Sequence, residues 1–485
     1  MTQKTDFLCD EIDRWFEARG GEMADDLLSL INIRSVYGAP APGAPYGQAA
    51  LDALNFSRSL LKKLGVETRV FEDCIAVGET GPGEPELGIL VHVDVVDANE
   101  AEWTSAPFRG VIRTGAEYGK TEPIIYGRGA SDDKGPAVAA MYALRCALDV
   151  TGGLKKSAQI LVGSAEEIGC EDVKRYIKRN EMPPNVFAPD ANFPLVNVEK
   201  GRFTAEFKGR WERSELLPRI VSVHGGGTIN IIPGTASAHI EGLTVQELSL
   251  LAGQYEQGTG TEITVKERAG GGCSVIVRGA AAHASLPQDG CNAQTALLSL
   301  LAALPLAKSG GADAIRKLAQ LFPHGENGGE QLGIACSDDV SGVLTLGFDI
   351  LTVNETGLTA AFDCRTPSVA DEMDLPGLVR NALCPAGFAV EGFTRTSCHV
   401  TPSDSDFVRT LLDIYSEYTG DRDAKPLAMG GTTYVHGIPG GVAFGPELPG
   451  IDCRIHGRDE FIGVNHLILI AKMYAAAIVR ICGIA

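Results

Sequence analysis

The chain is short of positive charge: 42 lysines and arginines face 62 aspartates and glutamates, a formal net charge of −20. That balance argues against nucleic acid as a partner, because neutralising phosphates takes clustered Lys and Arg. The 12 cysteines, scattered from Cys9 to Cys482, contain no C-x-x-C pair, so neither a structural zinc motif nor a disulfide framework is signalled. Scattered free thiols fit a reducing compartment. No apolar signal core follows the opening Met-Thr-Gln-Lys-Thr-Asp, and a cytoplasmic location is expected. Long apolar runs are missing as well. Leu467 to Ile484 carries Lys472 and Arg480; it reads as too short and too interrupted to span a bilayer, and as a buried C-terminal helix. Neither a G-x-S-x-G elbow nor a complete G-x-x-x-x-G-K-[ST] phosphate loop occurs.

What is there begins with length. At 485 residues the chain exceeds the size at which a single core stops growing, so two or more domains are expected. Its most informative stretch is Ile125 to Pro136, where Asp132 and Asp133 sit in a glycine-punctuated turn. Pro136 then opens an alanine-rich run, Ala137 to Val150, that reads as helix because proline is tolerated in a first helical turn. A solvated acidic turn explains these two residues by themselves. Leu87 to Val96, however, is an apolar run broken only by His92 and Asp94, the pattern of a strand buried on both faces of a parallel sheet. Two polar residues two apart share a strand face and need a partner there: a metal ion, or each other. Ser157 to Ser164 is a second such strand and ends in Glu166-Glu167; Val186 to Asp190 is a third and delivers Asp190. Open α/β sheets hold ligands at the C-terminal ends of their strands, so His92, Asp132, Glu167 and Asp190 can converge on one sheet edge.

Around this centre the N-terminal third reads as packing helices. Phe7, Leu8, Ile12, Trp15 and Phe16 recur at helical spacing, and a second helix, Met23 to Ile33, is expected after a break at Gly20-Gly21. Asn55 to Leu64 is a further helix stopped by Gly65. From about Gly201 the pattern alternates like antiparallel strands (Ala236 to Ile240, Ser274 to Val277, Val343 to Ile350, Leu358 to Cys364). Two long apolar helices, Val245 to Gln257 and Ala293 to Ala307, interrupt it. Near residue 399 the first texture returns, with a helix from Asp404 to Tyr418, a strand from Val442 to Phe444 and the His456 loop. The reading is an α/β, two-domain protein. Residues 1–201 and 399–485 form a catalytic domain with a mixed, mostly parallel sheet flanked by helices, and residues 202–398 form an inserted α+β lid domain.

Imidazole and carboxylate ligands without thiolates suit zinc or a harder ion such as manganese. An aspartate shared by two ions builds a dinuclear site that activates water and polarises a carbonyl. Five segments then occur in order: His92-Val-Asp-Val-Val96, Tyr126-Gly-Arg-Gly-Ala-Ser-Asp-Asp-Lys-Gly-Pro136, Ala165-Glu-Glu-Ile-Gly169, Pro189-Asp-Ala-Asn-Phe-Pro194 and Val198-Glu-Lys-Gly201, followed by Ile455-His-Gly-Arg-Asp-Glu460. Over nearly the whole chain this resembles the dinuclear zinc aminopeptidase, carboxypeptidase and aminoacylase family. Within it the chain is most similar to the peptidase V type, the Xaa-His or carnosinase-like bacterial dipeptidases.

The resemblance implies His92 and Asp190 on one ion, Glu167 and His456 on the other, and Asp132 bridging them. It also implies Glu166 as general base for a metal-bridging hydroxide, Asp94 as the group that orients His92, and a cis peptide bond between Asp132 and Asp133. In the inserted domain it implies His283 as a donor to the oxyanion. Asn230, Arg365 and the Gly430-Gly431-Thr432 turn become binders of the substrate's carbonyl and carboxylate. The expected activity is hydrolysis of unblocked dipeptides by a protein with two divalent ions, zinc or else manganese, acting as a monomer without a membrane partner. The alternatives are an N-acyl amino acid hydrolase using the same centre and a non-catalytic metal-binding relative. His224, His239, His324, His399, His436 and His466 are read as structural or surface residues. Two segments depart from the family pattern: Asp97 to Glu102, before Trp103, and Gly115 to Glu122, which reads as an extended hairpin.

Overall fold

A computed structural model describes residues 2–483, with the side chains of residues 2–8 and of Gln257 outside the description. The parts of the expected helices that involve Phe7, Leu8, Gln257 and Ile484 therefore lie wholly or partly outside the described residues. The chain forms two compact units, one of residues up to Asn197 with Val400–Leu427 and Thr432 onward, the other of Val198–His399 with Ala428–Gly431.

In the first unit the strands lie in the order Glu67–Phe71, Ile75–Thr80, Ser157–Gly163, Pro85–His92, Asn185–Ala188 and Gly441–Ala443. Pro85–His92 runs parallel to both Ser157–Gly163 and Asn185–Ala188, and Gly441–Ala443 runs parallel to Asn185–Ala188. The outer pairs, Glu67–Phe71 with Ile75–Thr80 and Ile75–Thr80 with Ser157–Gly163, are antiparallel. Every residue of Ser157–Gly163 is buried, which is why Ile160, Leu161 and Val162 run on without alternation, while the buried Gln159 is held by a hydrogen bond to Glu79. Helices Thr2–Ile31, Lys134–Thr151 and Val464–Ile478 pack on one another over this sheet, sharing Phe16, Leu27, Tyr142, Phe187, Phe444 and Tyr474 in one core.

Three expectations from sequence are corrected here. The first two helices are one, Thr2–Ile31. A β-carbon at Gly20 would meet Ile468 Cδ1 at 2.5 Å, so this glycine admits a neighbouring helix instead of breaking its own. The helix expected from Asn55 begins at Gln48. The third concerns the C-terminus, where the helical run Val464–Gly483 spans 20 residues and is by length and composition able to cross a membrane. Tertiary packing decides its role: Leu467, Ile470, Ala471, Met473 and Tyr474 are fully covered by the core of the first unit.

The second unit is an antiparallel eight-stranded sheet in the order Glu262–Glu267, Cys273–Arg278, Thr235–Glu241, Arg219–Gly225, Thr345–Asn354, Gly357–Thr366, Gly201–Arg210 and Phe388–Thr396. Val245–Thr259 starts with a capping box in which Thr244 and Glu247 bond each other's backbone N–H. Helix Gly310–Leu321 escaped the sequence reading because it opens on two glycines. They admit Trp211, whose Cβ would lie 2.5 Å from a β-carbon at Gly310.

A small sheet in the first unit joins Val111–Gly115, Glu122–Tyr126 and Phe461–Gly463. Its hairpin turn carries Tyr118, whose hydroxyl accepts from Gly463 N at 2.7 Å and lies 2.8 Å from His466 Nδ1. His466 Nε2 faces the Pro446 carbonyl at 2.8 Å. A carbonyl only accepts, so Nε2 carries the proton and Nδ1 accepts from the tyrosine. Burial holds this imidazole down at about 4, against an ordinary 6.5. The unfolded chain therefore takes up the proton first, and stability present above pH 6.5 is lost as pH falls toward 4. The shift corresponds to roughly 3 kcal/mol at most. Thermal unfolding of wild type and of His466→Gln, which keeps a donor and an acceptor but does not titrate, should converge as pH is lowered from 6.5 to 4.5. A gap that does not change with pH contradicts this account.

Candidate metal centre

The parallel strands deliver their ligands by register. His92 is the last residue of Pro85–His92, paired with Gly163 at the end of the neighbouring strand, and Glu166 and Glu167 follow three and four residues later. Asp190 lies two residues beyond Asn185–Ala188. Because these strands share a direction, all four arrive at one edge. Asp132 comes from the loop before helix Lys134–Thr151, joined to Asp133 by a cis peptide bond. His456 comes from the loop before Phe461–Gly463.

Two clusters result, and Asp132 belongs to both. His92, Asp132 and Asp190 form one, and Asp132, Glu167 and His456 the other, each with one donor atom per residue within 4.8 Å of the rest. Asp132 Oδ1 lies 3.1 Å from His92 Nε2, and its Oδ2 lies 2.9 Å from His456 Nε2. His92 Nε2 is 3.7 Å from Asp190 Oδ2, and His456 Nε2 is 3.2 Å from Glu167 Oε2.

The residues fit a pair of divalent ions on two grounds. His92 Nε2 and Glu167 Oε1 are buried without a hydrogen-bond partner, a costly state unless something else binds them. Negative charge is also concentrated beyond what two histidines neutralise. Burial and the charge of Asp132 push Asp190 up to about 7. Burial, then Asp190, raises Glu166 well above the usual carboxylate range; burial, then Asp132, raises Glu167. Asp132 itself is pushed up by burial, but His456 and His92 outweigh that and hold it low.

The tautomer of His92 follows from its surroundings. Its Nδ1 lies 3.1 Å from the main-chain carbonyl of Asp94, which only accepts, so the lone pair sits on Nε2 toward the cluster. The Asp94 side chain stands somewhat farther from Nδ1, at 3.5 Å. Its two oxygens instead accept from Glu166 N at 3.2 Å and Glu167 N at 3.1 Å. Asp94 thus ties both ends of the centre, with its side chain on the glutamate turn and its main chain on the histidine. Asp133 accepts from His92 N at 2.9 Å.

Sequence reasoning missed several supporting groups. Asp172 accepts from Ser164 N at 2.6 Å, Ala165 N at 3.0 Å and the Tyr434 hydroxyl at 2.8 Å, bracing the strand end before Glu166. The Tyr434 ring meets the His92 ring edge to face at 6.0 Å. Cys170 donates to Glu166 Oε1 at 3.4 Å. Buried Lys134, pushed down to about 7 by burial, donates to the carbonyls of Leu30 at 3.2 Å and Ile33 at 2.7 Å. Long-range partners of this kind carry no local signal in the chain.

Among the second unit's predicted residues, His283 Nδ1 accepts from Ser285 N at 3.2 Å and lies 2.6 Å from Ser285 Oγ, so the ring proton is on Nε2. His283 pairs with Ile231, beside Asn230. Asn230 has φ 89°, its N–H bonded to Asp349 Oδ2 at 3.0 Å. Arg365 donates from Nε to Asp363 at 2.9 Å and from a terminal nitrogen to the Gly430 carbonyl at 2.7 Å. Gly430 approaches Ser285 so closely that a β-carbon there would lie 2.6 Å from the serine's. Gly431 ends the short return segment of this unit, and Thr432 begins the last segment of the first. Among the described residues, His224, His239, His324, His399, His436 and His466 join neither metal-type cluster.

The sequence profile of Peptidase family M20/M25/M40 matches residues 88–480. A Bacillus subtilis protein named "Putative dipeptidase YtjP" is 32% identical over 467 residues, covering 94% of this chain and 96% of that one. The crystal structure of a Staphylococcus aureus tripeptidase superposes with a TM-score of 0.55 at 14% identity, covering 95% of this chain and 98% of that one. Human carnosine dipeptidase 1 superposes with a TM-score of 0.53 at 12% identity, covering 98% and 99%. These two likenesses concern the fold.

If the clusters are ion sites, Zn²⁺ or Mn²⁺ added to metal-free protein should raise Tm with concentration. At a hundredfold excess over Kd each ion adds about 2.7 kcal/mol. Glu167→Gln, which removes one charge from one cluster, should reduce the gain; an ion-independent Tm contradicts the assignment.

Proposed function

This chain belongs to peptidase family M20/M25/M40, and on that premise we propose that it is a dipeptidase cleaving unblocked dipeptides, with Glu166 as general base beside two divalent ions. The observation that carries the reading is the division of Asp132, one oxygen to each histidine-carboxylate cluster, with Glu166 next to Glu167. His92, Asp190 and Asp132 would hold one ion, and Glu167, His456 and Asp132 the other. Zinc suits this mixed nitrogen and oxygen set, with manganese the alternative. When bound, such ions supply Lewis-acid polarisation of the scissile carbonyl and lower the pKa of water.

The chain's own groups supply the remainder. Glu166 takes a proton from the attacking water and returns it to the leaving amine, a task favoured by a carboxylate whose burial raises its basicity. Asp94 holds the Glu166 and Glu167 backbone, and Cys170 orients the Glu166 carboxylate. In the second unit, acting as a lid, His283 offers a protonated Nε2 to the developing oxyanion. Arg365, preset by Asp363 and Gly430, together with Asn230 and the Gly430-Gly431-Thr432 turn, binds the substrate's carbonyl and C-terminal carboxylate. A monomeric, cytoplasmic enzyme acting on small peptides without nucleic-acid or membrane partners completes the proposal.

Hydrolysis should be assayed on free dipeptides and N-acetylated amino acids with metal content measured on the same samples. Cleavage of free dipeptides is expected; cleavage of only the acylated amino acids overturns the dipeptidase reading. Glu166→Gln should lower kcat by about 10²–10⁴-fold while both ions remain bound. An undiminished rate in that variant removes Glu166 from its role. Asp132→Ala should lose both ions together, and retention of either contradicts the bridge.

A further inference from the structure

The two clusters are built with unequal rigidity. His92 ends a buried strand and is held by Asp133 and the Asp94 carbonyl. His456 sits in a loop with its side chain 55% exposed. That loop takes up left-handed backbone at three residues with side chains, Arg454 (φ 59°), His456 (φ 60°) and Asp459 (φ 56°). L-residues seldom adopt this conformation without being held there.

What holds it is a circuit of charge-assisted bonds linking the His456 loop to the Asp132 loop. Both loops leave one pair of strands, since Phe461 is the register partner of Tyr126. Beyond that root, Glu460 is fully buried and all its bonds reach the opposite loop. Its Oε1 accepts from Ser131 N at 2.9 Å and Asp132 N at 3.0 Å. Its Oε2 accepts from Gly129 N at 3.1 Å and from Arg128 at 2.6 Å. Arg128 then donates its other terminal nitrogen to the carbonyl of Gly457, beside His456, at 3.0 Å. Outside the circuit, Asp459 accepts from Thr104 N at 2.8 Å and Thr104 Oγ1 at 3.0 Å.

We propose that Glu460, locked to Arg128, is a positioning residue that fixes the His456 loop against Asp132 and so sets the affinity of the Glu167–His456 ion site, reaching the His92–Asp190 site only through the shared Asp132 and affecting it less. The inference rests on the two-ion reading above. Glutamine at 460 is nearly isosteric, but its amide NH₂ must face N–H donors, either Arg128 and Gly129 or Ser131 and Asp132, so half the circuit opens.

Calorimetric titration of metal-free protein with Zn²⁺, together with the visible spectrum of the Co²⁺-loaded form, reads the two sites without any assay of activity. Wild type should take up two ions. In Glu460→Gln the weaker step should fall by about 10–100-fold, the usual effect of losing a group that orients a ligand, and the tighter step by clearly less. Thr104→Val, a milder loosening of the same loop, should weaken the same step by less, and it carries the test if the glutamine variant does not fold. Both steps at wild-type strength, or both weakened in parallel, overturn the clamp alone. A wild type that takes up one ion or none overturns the two-ion reading and the clamp with it.

Discussion

Asp132 lends one oxygen to each of two histidines, and the other supports around the centre answer the demands that this sharing creates. A carboxylate used from both sides must be rigid, and its neighbours must be close enough to add charge that burial penalises. Asp190, Glu166 and Glu167 are all raised by burial, and then by a neighbouring carboxylate, Asp132 for Asp190 and Glu167, and Asp190 for Glu166. Charges of one sign packed this tightly away from water are stable only when cations or protons offset them. The centre is therefore costly when empty, and the supports around it hold ligands in place against their own repulsion.

Those supports are carboxylates bonded to backbone. Asp94 holds the turn of Glu166 and Glu167, Asp133 the amide of His92, Asp172 the strand end before the glutamates, and Glu460 the amides of Ser131 and Asp132. Each accepts main-chain N–H groups at a strand end or in a loop beside the centre. An acidic composition thus follows in part from architecture, with buried acids doing the work that secondary structure does elsewhere.

Much of the fold was legible because its signals are local. Largely apolar runs such as Ser157–Gly163 marked buried parallel strands, and the residues just past their ends marked the site edge. The change of texture near Gly201 lies close to the chain's passage between units at Val198. Glycine misled or concealed where it serves packing: Gly20 was read as a helix break, and the helix opening at Gly310 was not read at all. Gly20 accommodates Ile468, and Gly310 accommodates Trp211, so both sit inside helices that their own sequence argues against.

The sequence by itself determined the kinds of group available: imidazole and carboxylate donors without thiolates at strand ends, in an order that resembles one peptidase family. Asp132 and His456, 324 residues apart by their numbering, were matched only through that resemblance. The sharing of Asp132 was likewise implied by the resemblance; only the tertiary structure decided that Asp94 acts through its main chain as well as its side chain. The C-terminal helix was read from sequence as buried, and it is, although Val464–Gly483 is long enough to cross a membrane. The physical reason is that hydrogen bonds and burial depend on distance in space, and residues far apart in the chain leave no periodic trace of the partner they will meet.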